Sequence, residues 1–328
     1  MYTYRISVIC IILFCCLILF ASCGQPATPV PPAAGPTATR AEASSHPYTP
    51  ALPTATVVPT RRGMSSPPPA PQQYTSHVIL SGAVRPDDLT FDQQGRLLFS
   101  DFYNGTVSRI NANGTVTTIL SGLAGPEGLV VLSDGTLIIA VQRTNRILSL
   151  APGASSPTVL RALPGTPSAK PCKDGVDGIA FDATTQTLII PDSPTGNVYR
   201  MSLDGKMFTL LASGIARPVG AAVDAQGTIY VADECGGALW RITHDGKTTR
   251  IGGFGMPDDV AFDQHGNILI IDLKPSIHSL IRMNLATGER ETLASQGFIE
   301  PQGLVIDSHD DIFVSDDYAN IIVEYIPT

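Results

Sequence analysis

One pattern returns six times along this chain, and it settles the architecture before composition is considered. A Pro, a polar residue and a Gly or Asp lead into three mostly apolar residues. A turn with Gly or Asp follows, then a second apolar run. The first copy reads Arg85-Pro86-Asp87-Asp88-Leu89-Thr90-Phe91-Asp92, then Gly95 and Leu97 to Asp101. Later copies open at Gly125-Pro126-Glu127-Gly128, Asp174-Gly175-Val176-Asp177-Gly178, Arg217-Pro218-Val219-Gly220, Met256-Pro257-Asp258-Asp259 and Glu300-Pro301-Gln302-Gly303. A spacing of about 40 to 50 residues is the period of a four-stranded propeller blade. Runs such as Leu97 to Ser100, Ile229 to Ala232 and Ile268 to Ile271 are rich in β-formers and bounded by Gly and Asp, as strands should be. No helical periodicity of useful length follows residue 74. The expected fold is all-β, a six-bladed β-propeller over residues 74–328.

The ends of the repeat region supply an independent check. The sixth copy, from Pro301, leaves room for only about three strands before Thr328. The segment from Ser76 to Gly82 matches Val116 to Gly122, the last strand of the first blade. The N-terminal strand is therefore expected to complete blade six, closing the ring and removing the sheet edges an open array would expose.

The preceding residues obey different rules. Arg5 is followed by an apolar run from Ile6 to Ala21, which suits a secretory signal better than a bilayer span of about 20 apolar residues. It ends in Phe20-Ala21-Ser22-Cys23-Gly24, which resembles the bacterial lipobox. Residues 1–23 then read as a lipoprotein signal with Cys23 as the lipidated residue; an uncleaved anchor is the alternative. Residues 24–73 are Pro, Ala, Thr and Ser with few large apolar side chains, a composition that cannot bury enough surface to offset ordering. They read as a disordered tether. Both routes place the folded part outside the cytoplasm, attached to a membrane.

Only Cys172 and Cys235 fall in the repeat region. An even pair in an oxidising compartment suggests one disulfide, with two buried thiols as the alternative. The net charge of −8 argues against a nucleic-acid partner, and a monomer is expected.

The repeats resemble those of the NHL-repeat and gluconolactonase-like (senescence-marker-protein) propellers, across nearly all of 74–328. In gluconolactonase-like enzymes a divalent cation, usually calcium, sits in the central channel, held by an early Glu and by Asn and Asp of Pro-Asn-Gly and Pro-Asp-Gly motifs. By that resemblance Asp87 takes the place of the early Glu, and Asp258 that of the Pro-Asp-Gly aspartate and catalytic base. Asp177 falls in the third blade's Asn-Asp-Gly position. Val219 stands where an Asn ligand is expected and cannot bind a metal.

Taken on their own chemistry, the residues after each Pro should open the innermost strands near one mouth of the channel: Asp87, Glu127, Asp177, Val219, Asp258 and Gln302. Four converging carboxylates repel and raise one another's pKa unless a cation neutralises them, and oxygen ligands suit calcium or magnesium. The expected metal set is Asp87, Glu127, Asp177 and Asp258; a wide, water-filled mouth is the alternative. A second ring, Asp101, Asp192, Asp233, Asp272 and Asp316, ends the second strands with Val141 interrupting it. These aspartates either border the mouth with Gln302 or accept turn amides. Ser193, Tyr103 and Tyr318 lie on the same loops, Trp240 reads as blade core, and the histidines as exposed turn residues.

Two functions follow. One is a metal-dependent lactonase or esterase; the other is a non-catalytic binding or sensing propeller for a protein or glycan at the cell surface. A quinone-dependent sugar dehydrogenase, suggested by Arg217-Pro218-Val219-Gly220, lacks the expected channel histidines and long loops.

Overall fold

A computed structural model describes residues 73–328 apart from 275 and 277. The signal, Cys23 and nearly all of the tether lie outside the described residues. Six four-stranded antiparallel sheets follow one another along the chain. Their second strands (Leu97–Asp101, Leu137–Val141, Thr187–Asp192, Ile229–Asp233, Ile268–Asp272 and Ile312–Asp316) are buried from end to end. That explains their near-continuous apolar sequence: each faces a neighbouring blade on both sides. The outer strands, such as Val116–Leu120 and Thr248–Gly252, are largely exposed and Thr-rich.

The core is divided into clusters between adjacent blades. One joins Ile138, Ile147 and Val176 to Leu188 and Met201. Another joins Val219, Tyr230 and Leu239 to Val260 and Met283.

The ring closes as the repeat alignment requires. Tyr74–Ser81 pairs antiparallel with Ile321–Pro327, from Tyr74 opposite Pro327 to Ser81 opposite Ile321, with one slip between Val78 and Leu80. The N–H of Thr328 donates to the carbonyl of Gln73 at 2.9 Å.

The repeated Pro-x-Gly turns out to be a β-bulge. In blades two, four, five and six the Pro pairs with the last residue of the second strand, and the register then slips before the pairing resumes. Such a slip turns the intervening side chain out of the pleat. In blades one and three the regular inner strand begins only at Leu89 and Ala180, so Asp87 and Asp177 lie in the segment before it.

The Gly serves close approach. A Cβ on Gly220 would lie 2.5 Å from the Asp258 carbonyl oxygen, and one on Gly303 2.4 Å from that of Asp87. Inner strands thus meet backbone to backbone around the axis. Asp88 and Asp259 stand where the other copies carry Gly, and each hooks the next blade. Asp88 accepts from the N–H of Leu129 at 2.5 Å, and Asp259 from that of Leu304 at 2.8 Å.

Candidate functional site

The bulges bring Asp87, Glu127, Asp177 and Asp258 to one end of the channel, around a cavity of about 160 Å3 that Gln142 and Arg217 also line. Gln302 borders it; Val219 does not, being fully buried between blades four and five. Asp87, Asp177 and Asp258 also line a constriction of about 10 Å3 walled by Gly178, Gly220 and Gly303, room for about one water.

The second Asp ring has a different job. Asp101 accepts from the N–H of Arg85, Asp233 from Arg217, Asp272 from Met256 and Asp316 from Glu300, at 2.7–3.1 Å. Each thereby pins the residue just before its own blade's inner-strand Pro. Asp192 accepts from Asn145 and Gly165. Asp101, Asp192, Asp233 and Asp316 are buried and do not line the cavity; they fasten the loops that form it. Asp233 also takes the indole N–H of Trp240 at 2.9 Å, and Ser193 donates to the Pro218 carbonyl at 2.6 Å.

Burial dominates the electrostatics of the mouth. The Asp258 carboxyl is pushed well above its usual range by burial and then by Asp177. The Glu127 carboxyl is likewise raised well above its usual range, by burial and then by the charges of Asp87 and Asp177. Burial holds Asp87 at about 7 and Asp88 at about 8. A carboxyl raised in the folded state contributes stability that is complete below its unfolded value, about 4, and is lost as pH climbs through the folded value. The melting midpoint of the wild-type protein is therefore expected to fall between about pH 4 and pH 8, with Asp87→Asn flattening the part of the fall below about pH 7. A calorimetric midpoint constant over that range would mean that both carboxyls stay ionised.

One cation stands inside the ring. The Arg217 guanidinium reaches Asp177 at 3.1 Å and Asp174 at 3.5 Å, and also pairs with Glu234. The Gln142 amide donates to Glu127 at 3.0 Å and to Asp177 at 3.4 Å. Asp258, 7% exposed, accepts no hydrogen bond from any described residue.

These facts test the calcium expectation. Asp177 and Glu127 already have donors, Val219 supplies no side-chain oxygen, and a guanidinium sits among the acids. Among the described residues, the place where three His, Cys, Asp or Glu ligand atoms lie within 4.8 Å of one another is Asp307, His309 and Asp311. That is an exposed turn in which Asp307 accepts the His309 and Asp311 N–H groups. Asp92, Asp224 and Asp263 cap the corresponding turns of other blades. The residues at the channel mouth do not fit a cation caged by all four acids.

On the rim Arg85, one residue before its blade's Pro as Arg217 is, lies between the rings of Tyr103 and Tyr318 and pairs with Asp317 at 3.3 Å. Arg85 and Arg217 occupy equivalent positions three blades apart. The recurring Arg-Pro was the visible signal for both. Nothing in the sequence marks the residue before the bulge as one that faces the channel. Cys172 and Cys235 form a disulfide with Cα atoms 6.1 Å apart, beside Asp174 and Glu234. Two larger grooves, about 560 and 590 Å3, flank the outer strand Arg290–Ala294, but no group of acids converges there.

No family model matches the chain, and no curated protein matches it in sequence. Solved structures do match its shape. A gluconolactonase from Xanthomonas campestris superposes with a TM-score of 0.62 at 17% identity, covering 78% of this chain and 90% of its own. Virginiamycin B lyase from Staphylococcus aureus gives 0.57 at 16%, covering 73% and 79%. An auxiliary nutrient binding protein from Bacteroides thetaiotaomicron gives 0.63 at 14%, covering 78% and 77%. The likeness is one of fold. The six-bladed propeller is common to this chain, to those two enzymes and to a binding protein, so the fold alone does not choose between catalysis and binding.

Proposed function

We propose that this protein is an extracytoplasmic ligand-binding propeller whose site is the acidic mouth of its channel, and that its guest there is a small positively charged molecule. The observation that carries the reading is Asp258. It is buried, it lines the cavity, and no described residue donates to it. Its neighbours Asp87, Glu127 and Asp177 leave the ring acidic even with Arg217 in place. A buried carboxyl without a donor costs free energy, and a guest ammonium group would supply the donor. About 160 Å3 is a space for a small amine, not for a polymer. A glycan or protein partner would have to present such a group at its end.

The competing reading is a divalent-metal-dependent hydrolase with Asp258 as base. It draws support from the oxygen-rich ring and from the gluconolactonase-like shape, and it is weakened by Arg217, Gln142 and Val219. Attachment to a membrane through Cys23 is part of the proposal. It is supported by the apolar run before that residue and by the disulfide, a bond favoured in oxidising compartments.

Thermal melting separates the two readings. A guest that binds only the folded state raises the midpoint according to RT ln(1 + [L]/Kd). Millimolar butane-1,4-diamine is expected to raise the wild-type midpoint, with little effect on Asp258→Asn, while calcium at equal concentration changes neither. A calcium shift that disappears in Asp258→Asn would instead establish the metal reading and end this one.

A further inference from the structure

We propose that the rim of the channel mouth holds a second subsite, an aromatic cage for an organic cation, which the protein fills with its own Arg85. The inference rests on the mouth being the binding face, but its residues are distinct from the ring acids. The guanidinium carbon of Arg85 lies 3.5 Å from the centroid of the Tyr103 ring and 4.5 Å from that of Tyr318. Those rings stand edge to face, 6.4 Å apart at 90°. A cation between two electron-rich faces is the arrangement by which proteins recognise quaternary and primary ammonium groups.

The cage is open to solvent, and its present guest fits it incompletely. Tyr103 and Tyr318 are 43% and 49% exposed, although large aromatic side chains ordinarily bury most of their surface. Arg85 reaches Asp317 by one long contact from Nη2 to Oδ2, at 3.3 Å, and by Nε to the backbone oxygen at 3.2 Å. The other carboxylate oxygen, Asp317 Oδ1, is buried and has no hydrogen-bond partner among the described residues. Asp317 itself is only 4% exposed at its side chain and lines the mouth cavity. A buried, unpartnered carboxylate oxygen beneath two exposed tyrosines is a site built for more positive charge, or a better placed one, than Arg85 delivers.

Arg85 can leave. Its side chain is 28% exposed, and it sits on a flexible stem at the lip of the cavity. It acts as an internal competitor: the ligand sees the cage only in the fraction of molecules from which Arg85 has swung out, and apparent affinity falls by that fraction.

The test uses tetramethylammonium, which has no N–H and so favours aromatic faces over the carboxylates of the ring below. It is titrated into full-length protein in detergent and followed by the ring resonances of Tyr103 and Tyr318. The wild-type protein is expected to bind it weakly, and Arg85→Ala to bind about tenfold more tightly because the competitor is gone. Adding Tyr103→Leu to Arg85→Ala should abolish the gain. If Arg85→Ala does not fold, Arg85→Gln serves in its place. Tyr103→Leu alone should also abolish the weak wild-type binding. No gain on removing Arg85, or a gain that survives loss of Tyr103, overturns the cage. Butane-1,4-diamine binding that depends on Asp258 would stand either way, so failure here and failure of the ring site give different results.

Discussion

Replacing Arg217 by Met is expected to lower stability at neutral pH by about 3–5 kcal/mol, the usual consequence of leaving the partners of a buried ion pair uncompensated. Asp177 and Glu234 both pair with this guanidinium, Asp174 lies within 3.5 Å of it, and Asp258 also feels its charge. In a domain of this size the loss corresponds to about 10 °C in the melting midpoint. The dependence on pH identifies the cause. With the cation gone the acids gain by taking up protons, so the deficit should shrink as pH is lowered towards about 5. A calorimetric comparison across pH would settle it. A deficit unchanged at low pH would point to lost packing of the long side chain and would remove Arg217 from the electrostatic account of the mouth.

The second large effect is expected from the disulfide. Cys172 and Cys235 are separated by 63 residues, and constraining a loop of that length in the unfolded chain contributes about 4 kcal/mol in the chain-entropy treatment. Cys172→Ser with Cys235→Ser should therefore melt well below wild type, and reduction of the wild-type protein should reproduce the shift. The bond ties the loop carrying Asp174 and Asp177 to the loop carrying Glu234, the same loops that Arg217 holds electrostatically. Removing both should cost less than the sum of the two losses, because residues of one network couple. Strict additivity would show that the two restraints act on separate motions.

How far the sequence could be read depends on how local the information is. The blade count, the strand runs and the closing strand were legible because period-two runs and turn residues are local and repeated. So was the convergence of Asp87, Glu127, Asp177 and Asp258 on one end, since the repeat places equivalent residues on one circle. The state of those residues was not legible. Whether a carboxylate is free or held depends on side chains from other blades. Gln142, in the turn after blade two's second strand, reaches Asp177 of blade three, and Arg217 of blade four reaches back to the same aspartate. The aspartates ending the second strands illustrate the opposite case. Their regular recurrence suggests a structural, amide-accepting role, and their contacts identify those amides as the ones before each Pro. Asp88 and Asp259 were hidden by the repeat itself, because Asp in the glycine position reads as tolerated variation until the backbone contacts beyond it are seen.

The closure of the ring sets an order of events in time. Tyr74–Ser81 completes its sheet only against Ile321–Pro327, and the contact that seals the joint, Thr328 to Gln73, spans 255 residues. The first strand of the propeller to be synthesised must therefore wait, unpaired, for the last. Until they meet, Ile321–Pro327 presents a bare edge of unpaired N–H and C=O groups, the surface on which chains aggregate. Contacts this distant in sequence form slowly. The interval before the ends find each other is thus when this chain most needs protection from its neighbours.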